Sequence, residues 1–312
     1  MLKYVLKRLG YILVTLWVIV TCTFFMMKNL PGTPFDAERF SIMTPQQQER
    51  VLEMYGLNDS LPMQYVKYIK NMLQGDLGTS FTYVNQDVAK VITGRLGPSA
   101  LIGIQAVLIG LAIGLILGIL AAWKHNSGID YFTMILAVLG VSVPNFVAAA
   151  LLQYYIGLKW GVLPVGFWTG WNCSVLPSIA LSFSATAMVA RFMRTEMLDV
   201  LDQDYIITAR AKGLSQMKVL MRHAVRNSIL PVVTILGPIV VNLMTGSLAV
   251  ENIFSIPGIG SLFVDCIKAN DYPVIMGITI FYAAFYMLIV LLVDLAYSLI
   301  DPRIRLAKGK ES

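Results

Sequence analysis

Long uncharged apolar runs recur along the chain and alternate with polar segments. An α-helix rises about 1.5 Å per residue, so roughly 20 apolar residues cross a hydrocarbon core about 30 Å thick. Runs of this length predict six transmembrane helices, at 9–27, 96–123, 131–158, 175–193, 227–250 and 272–293, the last continuing to about residue 300. The pattern therefore predicts an all-α membrane protein.

The polar segments divide this architecture into four parts. Residues 1–30 are expected to hold a cytoplasmic N-terminus and the first transmembrane helix, which we interpret as retained because no small-residue cleavage site follows it. Residues 31–94 are expected to form an extracytoplasmic segment, 95–301 a core of five transmembrane helices, and 302–312 a cytoplasmic tail. Within the extracytoplasmic segment, the helical spacing of its apolar side chains predicts a helix over 61–73: Leu61, Tyr65, Tyr68 and Met72.

The composition agrees with a membrane protein, since 57% of the residues are hydrophobic and only 13% are charged. A soluble domain has about 25% charged residues. Short loops on one side of the predicted helices carry most of the Lys and Arg, and such loops stay in the cytoplasm. Both termini are therefore expected to be cytoplasmic. The net charge of +6 follows from this asymmetry, so we expect no nucleic-acid partner.

A basic amphipathic segment lies between the fourth and fifth predicted helices, at 208–231, and reads TARAKGLSQMKVLMRHAVRNSILP. Gly213 interrupts its helical pattern, and Ser215 is placed to cap a second helix. One face of that helix is expected to be apolar, with Leu214, Met217, Met221, Ala224 and Val225, and another carries cations at four-residue steps, Lys218, Arg222 and Arg226.

The pattern alone leaves four roles open for this segment. It can lie on anionic lipid, to which each basic residue near the surface adds about 1 kcal/mol of attraction, or dock on a cytoplasmic protein through its apolar face. It can also be a solvated loop without a further role. A nucleic-acid contact is the least supported role, because no nucleic-acid-binding motif accompanies the charge. The pattern by itself favours the lipid-bound helix.

The same segment closely resembles the cytoplasmic loop of the inner-membrane permeases of ATP-binding-cassette (ABC) importers, in the variant of the dipeptide, oligopeptide and nickel permeases. The general permease motif begins Glu-Ala-Ala, with Gly six residues after the Glu. This chain has Ile207, Thr208 and Ala209 there, with Gly213 in register. Other stretches resemble the same branch: YGLNDSLPMQYVKYIKNMLQGDLGTSF, ENIFSIPGIGSLF, NDYPVIMG and DPRIR. The long segment after the first helix resembles that of the B-type subunit of an oligopeptide permease.

The resemblance implies a type I ABC importer permease fold and a subunit that imports oligopeptides or dipeptides across a prokaryotic plasma (inner) membrane. A nickel or other small-solute importer of the same branch is one alternative, and a stand-alone ion-coupled carrier is another. The implied partners are a second permease subunit, two cytoplasmic ATP-binding subunits, an extracytoplasmic solute-binding protein and membrane lipid. The sequence has no GxxxxGK[ST] phosphate loop. We therefore expect no cofactor or metal in this chain, and ATP and Mg on the partner subunits.

The resemblance also places a coupling helix at about 208–228, seated on an ATPase subunit, with candidate contacts Thr208, Ala209, Arg210, Lys212, Gly213, Leu214, Ser215, Met217, Met221, Arg222 and His223. Polar or helix-bending residues within the predicted spans are candidates for the translocation path or gate, although interhelical hydrogen bonding is an alternative use: Pro144, Asn145, Gln153, Asn242 and Asp294. Candidate contacts of the binding protein are Tyr55, Gly56, Leu57, Gln64, Tyr65, Gly75, Asp76 and Gly78.

Catalysis is not expected from this sequence. Its only histidines are His125 and His223, both in predicted cytoplasmic loops, and it has neither an HExxH motif nor a GxSxG nucleophile elbow. Cys173 and Cys266 both fall on the predicted outer side and could pair. Two free thiols are favoured instead, because sequence does not establish the geometry that a disulfide needs.

Overall fold

The computed structural model describes residues 2–29, 40, 42–54, 56–83, 86–244 and 247–300. Within these ranges the regular elements are helical, and extended pairing is confined to one isolated bridge between Thr79 and Asp87. The all-α prediction is therefore confirmed. The predicted cytoplasmic tail, 302–312, lies outside the described residues.

The α-helices in these ranges follow one another along the chain as α1 (Leu2–Lys28), α2 (Pro45–Met54), α3 (Leu61–Leu73), α4 (Val88–Trp123), α5 (Gly128–Ser142), α6 (Asn145–Leu152), α7 (Val175–Leu201), α8 (Asp204–Ala211), α9 (Gln216–Lys218), α10 (Arg226–Met244), α11 (Leu248–Ile253), α12 (Ile259–Lys268) and α13 (Tyr272–Ile300). A π-helical turn, Gln153–Lys159, extends α6, and a second one, Val219–Val225, joins α9 to α10. Helix α3 confirms the helix predicted over 61–73.

Within the described residues, five helical stretches are long and apolar enough to cross a membrane: Lys7–Lys28, Val88–Trp123, Trp171–Leu201, Gln216–Ile253 and Tyr272–Val293. A sixth candidate is the bent pair Gly128–Ser142 and Asn145–Lys159, whose two arms meet at 100°. The span predicted over 131–158 is therefore present as two helical arms with a bend between them. The break falls at Pro144, because proline disfavours helical backbone in the residue before it, and Val143 is extended at φ −83° and ψ 117°.

The chain divides into two compact units, of which the first is Met1–Gly97 with Ile259–Phe285. Its core is formed by apolar side chains from the start of α4, from α12 and from α13: Val88, Val91, Ile92, Ile259, Leu262, Cys266, Val274, Ile275 and Ile278. Helix α3 packs on α1, where the Tyr65 ring stacks on Phe25 with ring centroids 5.7 Å apart. The Tyr65 hydroxyl lies 2.7 Å from Thr21 Oγ1. Helix α3 is thus anchored on α1.

The second unit is Pro98–Gly258 with Tyr286–Ser312, and in it α7 packs against α5, α6 and α10. Helix α4 approaches α7 along a seam of three glycines at four-residue spacing, Gly110, Gly114 and Gly118. A Cβ added at Gly114 would lie 2.7 Å from Val189 Cβ, and one at Gly118 would lie 2.6 Å from Ala190 O. Glycine at these positions permits the close backbone approach that holds membrane helices together.

The cysteines do not form disulfides. Cys22, Cys173 and Cys266 are free thiols, and the last two are buried. The expectation of two free thiols is therefore confirmed, and the alternative of a Cys173–Cys266 bond is wrong.

Candidate functional site

The segment that begins with α8 and ends in the π turn carries an exposed apolar surface. We call residues 205–222 the docking surface, and its exposed large apolar side chains are Tyr205, Ile207, Leu214, Met217 and Met221. Met217 and Met221 are 50% and 53% exposed, and every residue from 210 to 218 is exposed. Contiguous exposed apolar side chains mark binding surfaces for proteins or lipid.

A small buried cluster holds this surface on the protein. Ile206, Ala209 and Val219 pack together at 0%, 6% and 2% exposure, and Val200 and Leu201 at the end of α7 pack against them. The Asn227 amide also donates to the Tyr205 hydroxyl at 3.0 Å. The docking surface is therefore a supported element with one face buried and the opposite face open.

The apolar face predicted for the second helix is divided in the structure. Leu214, Met217 and Met221 are exposed as expected, but the prediction that Ala224 shares their face is wrong, because Ala224 is fully buried in the main core. The residues from Val219 to Val225 form a π turn. Its i→i+5 hydrogen bonding changes the angular order of side chains, so a pattern drawn at helical spacing fails beyond residue 218.

Gly213 forms the turn between the two short helices. Its φ of 76° is left-handed, which glycine adopts at little cost. The Gly213 amide donates to Arg210 O at 2.9 Å and the Leu214 amide to Ala209 O at 3.4 Å, the pairing of a Schellman motif that ends a helix. Ser215 occupies the N-cap position of α9 as predicted, but its side chain makes no capping hydrogen bond.

Cations surround the exposed apolar side chains. Five of them are exposed, Arg210, Lys212, Lys218, Arg222 and Arg226, and no described residue forms an ion pair with any of the five. His223 is half-buried. The Thr208 hydroxyl is used internally, since it donates to Asp204 O at 3.0 Å. The docking surface therefore combines exposed apolar side chains with exposed cations.

The residues proposed for a path or gate lie on several different elements of the second unit. Pro144 lies at the bend between α5 and α6, where Asn145 begins α6. The Gln153 amide donates to Val165 O at 2.5 Å and to Ile253 O at 2.7 Å, so it already serves in hydrogen bonding between segments. Asn242 is exposed on α10. Asp294 lies in α13, but its side chain is outside the described residues.

The residues proposed to contact a binding protein have internal roles as well. The Gln64 amide donates to Leu57 O at 3.3 Å and to Asp59 O at 2.7 Å, which closes the turn before α3. Asp76 Oδ1 accepts the Gly78 amide at 2.8 Å. Gly56, Gly75 and Gly78 have left-handed φ angles of 63°, 84° and 85°, and Tyr55 lies outside the described residues.

A buried carboxylate that sequence reasoning missed orders the turn after Gly78. Asp271 is fully buried, and it accepts hydrogen bonds from the Ser80 hydroxyl and from the Phe81 and Thr82 amides, both at 3.1 Å. The Tyr83 amide in turn donates to Ser80 Oγ at 2.8 Å. The stretches containing GTSF and NDYP, which the sequence places far apart, therefore form one structural site.

A second buried carboxylate, Glu251 on α11, was also missed. Glu251 is 2% exposed, and the Ser99 hydroxyl donates to its Oε1 at 2.7 Å. A Cβ on Gly258 would overlap the Glu251 carboxyl group, so the glycine of the SIPGIG turn allows this contact. A lone Glu in a stretch that is otherwise uncharged from residue 227 to residue 264 is the only signal that the sequence offers for it.

Comparisons with known proteins agree over most of the chain. Residues 114–306 match the family described as binding-protein-dependent transport system inner membrane component, and residues 1–96 match its N-terminal counterpart. The dipeptide transport system permease protein DppB of Lactococcus lactis is 46% identical over 98% of this chain and 100% of its own length. DppB of Bacillus subtilis is 43% identical over 99% of each chain. The oligopeptide transport system permease protein OppB of Escherichia coli is 38% identical over 98% of this chain and 100% of its own length.

Two solved structures show the same fold at low sequence identity. An amino acid ABC transporter with histidines aligns with a TM-score of 0.51 at 20% identity, covering 69% of this chain and 94% of the other. The MetNI methionine ABC transporter, solved in inward-facing conformations, aligns with a TM-score of 0.54 at 14% identity, covering 68% and 97%.

Proposed function

Because the chain belongs to the family of binding-protein-dependent transport system inner membrane components, we propose that it imports dipeptides or oligopeptides as the permease subunit of an ABC importer. It is a multi-pass membrane protein and a transport subunit, not an enzyme. The peptide substrate is supported by relatives at 38–46% identity that are named dipeptide or oligopeptide permeases. Nickel or another small solute is the alternative cargo.

Transport by this family requires a solute-binding protein and ATPase subunits. We propose that the chain pairs with a second permease, that the path runs between the two, and that two ATPases bind on the cytoplasmic side. ATP and Mg then belong to the ATPases. Both termini are cytoplasmic in this arrangement, and the segment after the first span, especially residues 55–81, contacts the binding protein.

We further propose that the docking surface is the coupling element that contacts an ATPase subunit. The observation that carries this assignment is the combination of exposed Leu214, Met217 and Met221 with a buried support beneath them. A protein interface of this kind has an apolar centre and a polar rim, and the exposed cations from Arg210 to Arg226 are suited to supply that rim. Lipid is the other occupant that this chemistry permits, and the experiment below separates the two.

The test compares Met217→Asp with Met217→Leu in the full complex. Aspartate places a charge in the centre of the contact, whereas leucine preserves its volume and apolar character. We expect Met217→Asp to remain in the membrane but to lose most ATP-driven uptake and most co-purification with the ATPases, and Met217→Leu to retain both. Uptake is measured with a labelled dipeptide. Competition by unlabelled Ni²⁺ or by longer peptides then shows which of these solutes the complex also transports. Normal uptake and ATPase binding by Met217→Asp would exclude this surface as the coupling element.

A further inference from the structure

An ion pair outside the docking surface joins two helices of the second unit. Arg194 on α7 binds Asp130 in the first turn of α5 through two bonds, from Nε to Oδ1 at 2.5 Å and from a terminal guanidinium nitrogen to Oδ2 at 2.8 Å. Asp130 is 1% exposed. Two parallel bonds between a planar guanidinium and a carboxylate fix the orientation of both side chains, so the pair is a defined mechanical contact between α5 and α7.

The loop between α4 and α5 completes the same cluster. The Asn126 amide donates to Asp130 Oδ2 at 3.0 Å, and Asn126 has a left-handed φ of 59°, a conformation that Asn adopts more readily than most residues. His125 Nδ1 lies 3.1 Å from Asp130 Oδ2 and 3.2 Å from the Arg194 guanidinium. Helix α5 is therefore held on α7 at its first turn, together with the loop that precedes it.

The end of α7 nearest to this cluster also carries the docking surface. Arg194 lies seven residues before Leu201, where α7 ends, a distance of about 10 Å along the helix. Between them, the buried Ser228 hydroxyl in the first turn of α10 donates to Glu196 O at 3.2 Å. The last turns of α7 thus connect three elements: the docking surface by the chain itself, α10 by a hydrogen bond, and α5 by the ion pair.

Helix α5 also lies beside a partly open apolar groove. The groove has a volume of about 480 Å³, with walls from α4 to α7 that include Leu117, Gly140, Leu151 and Thr186. Close packing of α5 on α7 continues at Gly140, where an added Cβ would lie 3.1 Å from Ala187 Cβ, so α5 is packed on its α7 side and less constrained on the side of the groove. At its far end α5 meets α6 in the 100° bend. A displacement of Asp130 would therefore also displace the bent pair formed by α5 and α6.

We propose that the Asp130–Arg194 ion pair is a positioning link, which transmits movement of the docking surface to the bent pair α5 and α6 during import. This inference rests on the proposed function, because it needs an ATPase to move the docking surface. Its alternative is a contact that serves stability alone. Replacing both partners of a buried ion pair by uncharged side chains leaves no unpaired buried charge, whereas removing one partner alone does. A double neutral variant therefore separates the two roles.

The experiment uses the complete complex with its binding protein in proteoliposomes, and measures peptide imported per ATP hydrolysed. The double variant Asp130→Asn with Arg194→Gln should assemble and hydrolyse ATP, but import at least tenfold less peptide per ATP. Arg194→Lys keeps the charge but loses the planar fork, and should show a severalfold loss. As a matched control, Asp87→Asn with Lys90→Gln removes an exposed ion pair whose members are 58% and 80% exposed, and should leave the ratio unchanged.

A wild-type ratio of peptide to ATP in the double variant would overturn the link. Failure of both the double variant and Arg194→Lys to assemble would also overturn it, since the pair would then serve folding alone. Failure of the proposed function has a different signature. In that case the wild-type complex would not import, or Met217→Asp would hydrolyse ATP and import like the wild type.

Discussion

At the scale of single residues, Gly213 shows how one backbone angle orders the docking surface. A Cβ at Gly213 would meet no atom of this chain within 4 Å, so the effect of adding one within the chain comes from the backbone angle and not from a clash. The left-handed conformation costs an ordinary L-residue about 1–2 kcal/mol, and less for Asn. The turn between α8 and α9 therefore depends on glycine for its angle alone.

Substitutions at Gly213 should follow this order. Gly213→Asn should retain most uptake, Gly213→Val should lower it, and Gly213→Pro should uncouple ATP hydrolysis from uptake while leaving the protein inserted. Proline is fixed near φ −65° and lacks the amide hydrogen that bonds to Arg210 O. Uptake and ATPase rates of the assembled complexes measure the effect, with Gly213→Asn as the control. Equal coupling in all three variants would contradict this role for the turn.

The buried polar residues mark the limit of what single positions reveal in a sequence. Gly213 was identified because it interrupts a periodic pattern. Asp130, Glu251 and Asp271 were not identified, because each is hydrogen-bonded to a residue that lies far away in the chain. No spacing rule connects Ser80 with Asp271, so only the fold shows that the two belong together.

At the scale of helices, the seam between α4 and α7 controls how closely the core of the second unit packs. Gly114→Ala should destabilise the protein by about 1–3 kcal/mol, the usual range for overpacking, because the added Cβ would lie 2.7 Å from Val189 Cβ and 2.9 Å from Thr186 O. Thermal unfolding of the purified chain in detergent measures this change.

The matched control for the seam is Gly94→Ala in the same helix. A Cβ at Gly94 meets nothing within 4 Å, and alanine favours helix over glycine by about 1 kcal/mol. This variant should therefore be neutral or slightly stabilising. A similar fall in melting temperature for both variants would show that the seam is not the cause.

Helix positions were predictable wherever an apolar run had clear ends, as for α3 and for the five long spans. The interior of a run was less informative. Hydropathy over 131–158 does not register the bend at Pro144, and neither π turn has a signature in periodicity. The spacing of Gly110, Gly114 and Gly118 is visible in the sequence, but the sequence does not show which helix these glycines contact.

At the scale of the whole molecule, orientation in the membrane can be tested by thiol labelling in a chain with Cys22 replaced by Ala. Trp171→Cys replaces a 74% exposed side chain near the start of the fourth predicted span, and Met217→Cys lies in the docking surface. An impermeant maleimide should label Trp171→Cys in intact cells, and Met217→Cys only after permeabilisation. The reverse result would invert the proposed topology.

The two remaining thiols should contribute little background to this experiment. Cys173 and Cys266 are buried, and burial raises the pKa of Cys266 to about 12. Maleimides react with the thiolate, which a pKa this high keeps scarce at neutral pH. The chain with Cys22 replaced and no added cysteine is the control.

The site at Asp271 has a consequence for biosynthesis. Ser80 and Asp271 are separated by 191 positions, and ribosomes add roughly 5–20 residues per second. The turn at 80–83 therefore waits about 10–40 s after its own synthesis before its carboxylate acceptor exists. During that interval the Phe81 and Thr82 amides have water or local groups as their only partners, so this turn reaches its final set of hydrogen bonds only once the start of the last helix has been synthesised.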